Sequence, residues 1–182
     1  MKPKRPPARS PRLDKYVRLA LATGAVDAKL IPAKSVVTAE WVRLKCQFGC
    51  SGYGKRLTCP PRTPTPETTR RVLGEYRHAL LFAYEGQLTM PQRRKAQRQL
   101  AGLERTAFLD GWYKALAFGA GPCRLCAECD PGSPCRHPGE CRPSMESTGI
   151  DVFATCRNAG IRLEVVKTRQ DPRRYVHLLL ID

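Results

Sequence analysis

The chain has 182 residues, with 32 Lys and Arg against 16 Asp and Glu, and nine cysteines. That length is enough for one ordinary domain with a real core. The longest strictly apolar run, Ala79 to Tyr84, spans six residues, far short of a membrane span, so no membrane partner is expected. The net charge of +16 favours contact with nucleic acid, phosphorylated ligands or an acidic protein, set against a plain arginine-rich solvated surface.

Residues 1–12 carry Lys2, Lys4, Arg5, Arg9 and Arg12 with no acid, and read as a disordered basic tail. No apolar segment of a secretory signal follows, so a reducing cytoplasm is the expected compartment. The remainder keeps 27 cations against 16 acids, still +11. Residues 13–182 are expected to form a single metal-binding domain, with cysteine loops at 46–61 and 119–143.

Leu13 to Ala22 has the apolar spacing of a first helix, ended near Gly24. Ala28 to Val37 reads as extended, with Pro32 arguing for an edge or a break. Ala39 to Lys45 suits a strand or a short helix leading into Cys46. Pro64-Thr-Pro-Glu67 opens a helix with Thr65 as cap, running to Gly74. His78 to Glu85 has the pattern of a buried strand. Met90 to Asp110 predicts a long helix. Its apolar face is Leu100, Leu103, Ala107 and Phe108, and the basic cluster Arg93, Arg94, Lys95, Arg98 and Arg105 lies largely elsewhere, as a solvated face or a phosphate contact. Tyr113 to Phe118 predicts a strand. Pro143 to Glu146 opens a further helix and Gly149 divides it from Ile150 to Asn158, where Val152, Phe153 and Cys156 share a face. Ile161 to Val166 and Tyr175 to Ile181 predict two closing strands. Strands interleaved with helices imply an α/β or α+β fold, a mixed sheet with flanking helices and both cysteine loops at one end.

Eight of the nine cysteines fall in two segments. Cys123, Cys126, Cys129, Cys135 and Cys141 lie within nineteen residues broken by Pro131, Pro134 and Pro138, which can be neither helix nor paired strand. Too few apolar side chains are present to hold such a loop in one shape. The Cys-x2-Cys-x2-Cys spacing begins the bacterial ferredoxin run, because thiolates three residues apart can each reach a different iron of one cubane. The fourth cysteine then follows after five residues instead of three, which leaves Cys135, Cys141 or a distant cysteine to complete the site. Zinc usually takes two Cys-x2-Cys pairs with a longer spacer, and is the alternative metal. A disulfide framework would need an oxidising compartment. The second segment, Cys46, Cys50 and Cys59-Pro60, contains Gly49, Gly52 and Gly54, which let the backbone wrap a bulky object. Cys156 reads as an ordinary buried thiol.

With these residues laid out, the chain resembles a bacterial and archaeal family of predicted metal-binding proteins of unknown function. The likeness covers roughly residues 40–182. Its most specific pieces are Gly49-Cys50…Tyr53-Gly54…Cys59-Pro60-Pro61, Tyr113 through Cys123, Cys135-Arg-His-Pro138…Arg142 through Glu146, and Gly149 through Val152. The resemblance implies cysteine positions Cys46, Cys50, Cys59, Cys123, Cys126, Cys129 and Cys135; Cys141 and Cys156 are additions of this sequence. It implies metal, not a reaction.

Three functions are compatible with this pattern. The first is an iron–sulfur protein with one or two [4Fe–4S] clusters that exchanges electrons with a redox partner protein, Cys123, Cys126, Cys129 and Cys135 saturating one cluster. The second is an enzyme in which Cys46, Cys50 and Cys59 leave one iron open as a Lewis acid, with Tyr53, Lys55 and His137 near the substrate. The third is a basic nucleic-acid-binding module whose metal is structural. No hydrolase triad, phosphate loop or dinucleotide fingerprint is present.

Overall fold

The computed structural model describes residues 11–182, so the first ten residues of the expected basic tail lie outside it. Helix α1 (Pro11–Ala22) takes in the last two positions assigned to that tail, and Gly24 follows it at φ +97°. Strand β1 (Asp27–Pro32) ends at the proline that cannot donate to a ladder, and a single 3₁₀ turn, Ala33–Ser35, follows. Helix α2 (Glu40–Gly49) resolves the ambiguity over residues 39–45, and it continues through Cys46, which is therefore helical and not part of a loop. Helix α3 (Pro66–Leu73) starts as its residues predict, with Thr65 Oγ1 accepting from the Thr68 N–H and Gly74 at its end.

The sheet contains β2 (His78–Glu85), β3 (Leu116–Phe118) and β4 (Arg174–Leu180) besides β1, in the order β1-β2-β4-β3. All three pairings are antiparallel, so the class is α+β. Strand β2, central and buried on both faces, has the continuous apolar run that such a position needs. Helix α4 (Met90–Leu109) opens on a capping box in which Thr89 and Gln92 satisfy each other's ends. Helix α5 (Val152–Ala159) is capped by Asp151, which accepts from the Ala154 N–H, and closed by Gly160 at φ +64°.

The sheet carries helices on both faces. Leu80, Phe82, Leu179 and Ile181 pack against Tyr16 of α1 and Leu100 and Leu103 of α4. Leu81, Val176, Leu178 and Leu180 pack against Leu73 of α3, Cys156 of α5 and the corner residues Met145 and Ile150. Cys156 is fully buried there, as expected of a core thiol.

Four expectations need correction. Tyr113 to Leu116 is a turn up to its last residue, so the strand is only Leu116–Phe118. The helix expected from Pro143 is a bridge at Ser144 followed by a 3₁₀ turn, Glu146–Thr148. Residues 161–164 alternate as expected, Ile161 inward and Arg162 outward, but Val165 and Val166 are both exposed and the run forms no strand: it joins neither open edge of the sheet, at β1 or at β3. Phe108 and Phe153, placed with the apolar faces of their helices, are 55% and 42% exposed.

His177 on β4 is an ionisable side chain sunk in the sheet's core. It stacks on Phe82 at 5.2 Å and meets Tyr84 edge-on at 5.4 Å, and neither ring nitrogen has a hydrogen-bond partner among the described residues. Burial pushes its pKa down to about 3. The unfolded chain takes up this proton near the ordinary value of about 6.5, so the neutral ring's contribution is complete above that pH and is lost progressively as the pH falls toward 3. A His177→Phe variant is expected to gain stability relative to the parent through this window. Thermal melts at stepped pH measure the difference, and a gap that stays constant from pH 7 to 4 would count against it.

Candidate metal centre

The loop between β3 and the 3₁₀ turn is closed at its base. Gly119 donates to the Pro143 carbonyl at 2.7 Å and Met145 to the Gly119 carbonyl at 3.0 Å, forming an isolated parallel bridge between Gly119 and Ser144. Everything from 120 to 143 is therefore one excursion with its two ends pinned together. Helix α4 holds the excursion from the side. Arg94 Nε donates to the Arg124 carbonyl at 2.8 Å, and Arg98 Nε reaches Glu140 at 3.2 Å. Gln97 both donates to Cys123 Sγ at 3.1 Å and accepts from the Arg124 N–H at 3.2 Å. These three residues are i, i+3 and i+4 on one face, the spacing that lets side chains of successive turns reach one target.

A second clamp sits where the loop re-enters. Glu104 takes a two-pronged bond from Arg142, at 2.7 and 2.5 Å, and also accepts the Ala117 N–H at 2.7 Å. Both side chains are largely withdrawn from water, and the carboxylate holds the Arg142 pKa above its ordinary value. Removing one partner strands the other's charge. A Glu104→Ala variant is expected to lose about 2–4 kcal/mol in urea denaturation, and Glu104→Gln to lose less because it keeps an acceptor for Ala117; a loss under about 0.5 kcal/mol would show the clamp to be ornamental.

Inside the loop, Cys123, Cys126, Cys129, Cys135 and Cys141 line one small cavity, together with Leu125 and His137. Cys141, which the family pattern leaves aside, thus stands with the other four. Its thiol is pushed up to about 11 by burial, then by its hydrogen bond to Cys135. Cys135 Sγ accepts from the His137 N–H at 3.4 Å. The His137 side chain faces the same cavity and pairs with Glu140 at 3.8 Å when protonated.

The first cysteine segment abuts this cavity: Arg56, Leu57 and Thr58 complete its wall. Thr58 Oγ1 is buried there with no hydrogen-bond partner. The neighbouring Cys59 thiol is raised to about 11, by burial first, then by Cys50, with smaller contributions from Cys46 and Cys123. Cys46 is raised by burial and by Cys50. Cys50 Sγ accepts from the Gly52 N–H at 3.4 Å. The three thiols of this segment thus feel one another and also Cys123. Arg43 ties the segment down through its Nη1, which donates to Thr63 Oγ1 at 2.8 Å and to the Ser147 carbonyl at 2.7 Å.

The cavity of the 123–141 loop holds about 20 Å3 of free space. Among the described residues no three His, Cys, Asp or Glu side chains close upon a point from which they could hold a single ion. The thiols are gathered but not closed, so the loop must open outward around any polynuclear core that it takes. Raised thiol pKa values set a sign for loading: ligating sulfurs must lose protons, so metal uptake is favoured as pH rises.

Tyr53 and Lys55, placed beside the site by sequence, line neither this cavity nor the larger cleft next to it. Gln97, Arg94 and the Glu104–Arg142 pair had no signal in the sequence, since each meets the loop across 26 or more residues. The basic cluster on α4 is accordingly not one solvated face: Arg94 and Arg98 serve the loop, Arg93 donates to Tyr175 Oη at 2.9 Å, and Lys95 and Arg105 are exposed. No helix among the described residues is long and apolar enough to cross a membrane. No curated protein and no solved structure matches the chain. The family described as Predicted metal-binding protein (DUF2284) matches residues 29–181, a span that contains both cysteine segments and every clamp around them, and the chain belongs to that family.

Proposed function

We propose that the protein is an iron–sulfur protein that passes electrons to or from a partner protein. The observation that carries this reading is the set of five thiols around one cavity, with the Gln97 amide and the His137 backbone N–H donating to two of the sulfurs. A donor set of thiols alone selects iron–sulfur clusters, zinc or cuprous copper. The immediate x2, x2 repeat over Cys123, Cys126 and Cys129 favours a cubane over the paired spacing that zinc uses. On this reading Cys123, Cys126, Cys129 and Cys135 hold a [4Fe–4S] cluster, and Cys46, Cys50 and Cys59 hold a second.

When bound, such clusters supply one-electron chemistry. The chain's own part is to set its energy and keep water out. N–H donors to the sulfurs favour the more negative, reduced form, as do the neighbouring Arg56 and Arg124. Leu57 and Leu125 cover the cavity on its apolar side. Adjacency of the two cysteine groups suits a relay. Anaerobically purified protein is expected to show a broad absorbance shoulder in the blue that reductant bleaches, with iron and acid-labile sulfide in equal amounts. Colourless protein loaded with zinc and free of sulfide would end the proposal.

One observation favours a second reading, an enzyme that uses the open iron of a three-thiol cluster. Cys46 and Cys50 stand in the wall of a large cleft, where a substrate could approach.

A further inference from the structure

The cleft lies between helix α2 and the irregular run after α5, with Val176 of β4 at its floor, and has a volume of about 820 Å3. That is the size of small-molecule sites. Its rim is apolar and wet: Trp41 is 45% and Val165 68% exposed, and aromatic and branched surface left to water around one concavity is what a ligand covers.

The polar lining is unbalanced. Lys45, Arg93, Arg124, Arg157 and Arg173 all border the cleft, and none of them has a carboxylate partner among the described residues. Arg93 is held in place by the Leu88 carbonyl and Tyr175 Oη, and Lys45 lies over the Trp41 ring at 5.1 Å. Arg124 Nε is buried and has no hydrogen-bond partner. Of the acids at the cleft, Asp151 is occupied in capping α5 and Glu164 pairs with Arg162. Glu146 is free of any cation, with one oxygen buried and unpartnered. Five cations without a carboxylate partner therefore outnumber the two acids without a cation partner, Glu146 and Asp151, around an apolar pocket.

We propose that this cleft binds a small organic oxyanion, a carboxylate or a phosphate ester, carried on an apolar or aromatic body. The apolar walls take the body and the cations take the headgroup, an arrangement in which arginine is well suited to both kinds of oxyanion. The chain's own N-terminal segment is a poor occupant, because residues 1–12 bring five more cations and no acid. The inference stands on the cleft alone and does not depend on which metal the cysteines hold. Its bearing on function comes from Cys46 and Cys50, whose thiols would lie beside the bound anion.

The test uses the protein as isolated anaerobically, with 8-anilinonaphthalene-1-sulfonate as fluorescent probe at fixed ionic strength. Phenylacetate, phenyl phosphate and the neutral phenylacetamide serve as competitors. At least one anion is expected to displace the probe about tenfold more effectively than the amide, and the better of the two identifies the headgroup. Lys45→Glu and Arg173→Glu, at positions whose side chains make no hydrogen bond or ion pair, are each expected to weaken that anion by about fivefold. Lys34→Glu, exposed and outside the cleft, is expected to leave it unchanged. Displacement by the amide equal to that by the anions, unchanged binding in a folded Lys45→Glu/Arg173→Glu double variant, or stronger displacement by a short single-stranded oligonucleotide would each overturn the inference. Iron measured in the same samples separates the two claims: displacement by the anion without iron keeps this one and discards the cluster reading.

Discussion

Replacing Gly149 by alanine is expected to cost about 3–5 kcal/mol and to remove the protein from the soluble, folded pool at elevated temperature. Gly149 sits at φ +81°, in the left-handed region, where an L side chain costs about 1–2 kcal/mol. A Cβ there would also lie 2.3 Å from Pro66 Cγ, 2.7 Å from its Cβ and 2.9 Å from its Cα. The obstacle is a proline ring fixed at the first turn of α3, so no rotamer can move aside, and either the helix or the corner must shift. The corner is not free to shift, since the Gly149 carbonyl accepts from Ala39 at the start of α2 and Thr69 Oγ1 donates to the Thr148 carbonyl at 2.7 Å. Urea denaturation measures the loss. A companion Pro66→Ala substitution is expected to restore part of it by removing Cγ, leaving the contacts with Cβ and Cα and the backbone strain. A loss within about 1 kcal/mol in the single variant would mean that α3 and the corner do not pack as described.

The second large effect concerns the cysteines themselves. Cys126→Ser is expected to abolish metal at the 123–141 loop and leave the fold intact, because Cys126 faces the shared cavity while the loop is pinned by its bridge and by α4. Cys156→Ser is expected to do the reverse. That thiol is fully buried against the sheet, its pKa raised to about 12 chiefly by burial, so a hydroxyl there is left unsatisfied and costs about 1–3 kcal/mol with metal content unchanged. Elemental analysis per chain and thermal melts read the two outcomes independently. Full metal content in Cys126→Ser, or its loss in a folded Cys156→Ser, would reverse the assignment. Cys135→Ser and Cys141→Ser then decide which of these two thiols is a ligand.

The parts of this fold that the sequence makes visible are those whose cause is local. Thr65 and Pro66, the six-residue apolar run of β2 and the glycine at 160 each carry their own instruction, and the elements they mark lie where expected. Residues 161–166 show the limit of such reasoning. Their alternation correctly sorts Ile161 and Leu163 from Arg162 and Glu164, but a strand also requires the chain to run alongside an open edge, here β1 or β3, which alternation does not encode. Phe108 and Phe153 fail for a related reason: helical periodicity gives a face, not the length of neighbour that covers it. In the candidate metal centre, the clustering and spacing of eight cysteines are legible, whereas the supports are not. Gln97 reads as one polar residue in a basic helix until the loop is folded back against it. Cys141 is supernumerary by the family's spacing, and only the folded loop puts it with the other four thiols.

The bridge between Gly119 and Ser144 gives the excursion a doorway through which it both leaves and re-enters the framework. Residues 125–139 lie inside both that doorway and the contacts of α4 and Glu104 with 123, 124, 140 and 142, so they can be lengthened, shortened or exchanged with those supports kept, much as a cartridge is swapped in a fixed holder. A surplus thiol such as Cys141 is then tolerated at little structural expense, and transplanting the 125–139 cassette from another member of the family becomes a practical way to alter what this protein carries while preserving what holds it.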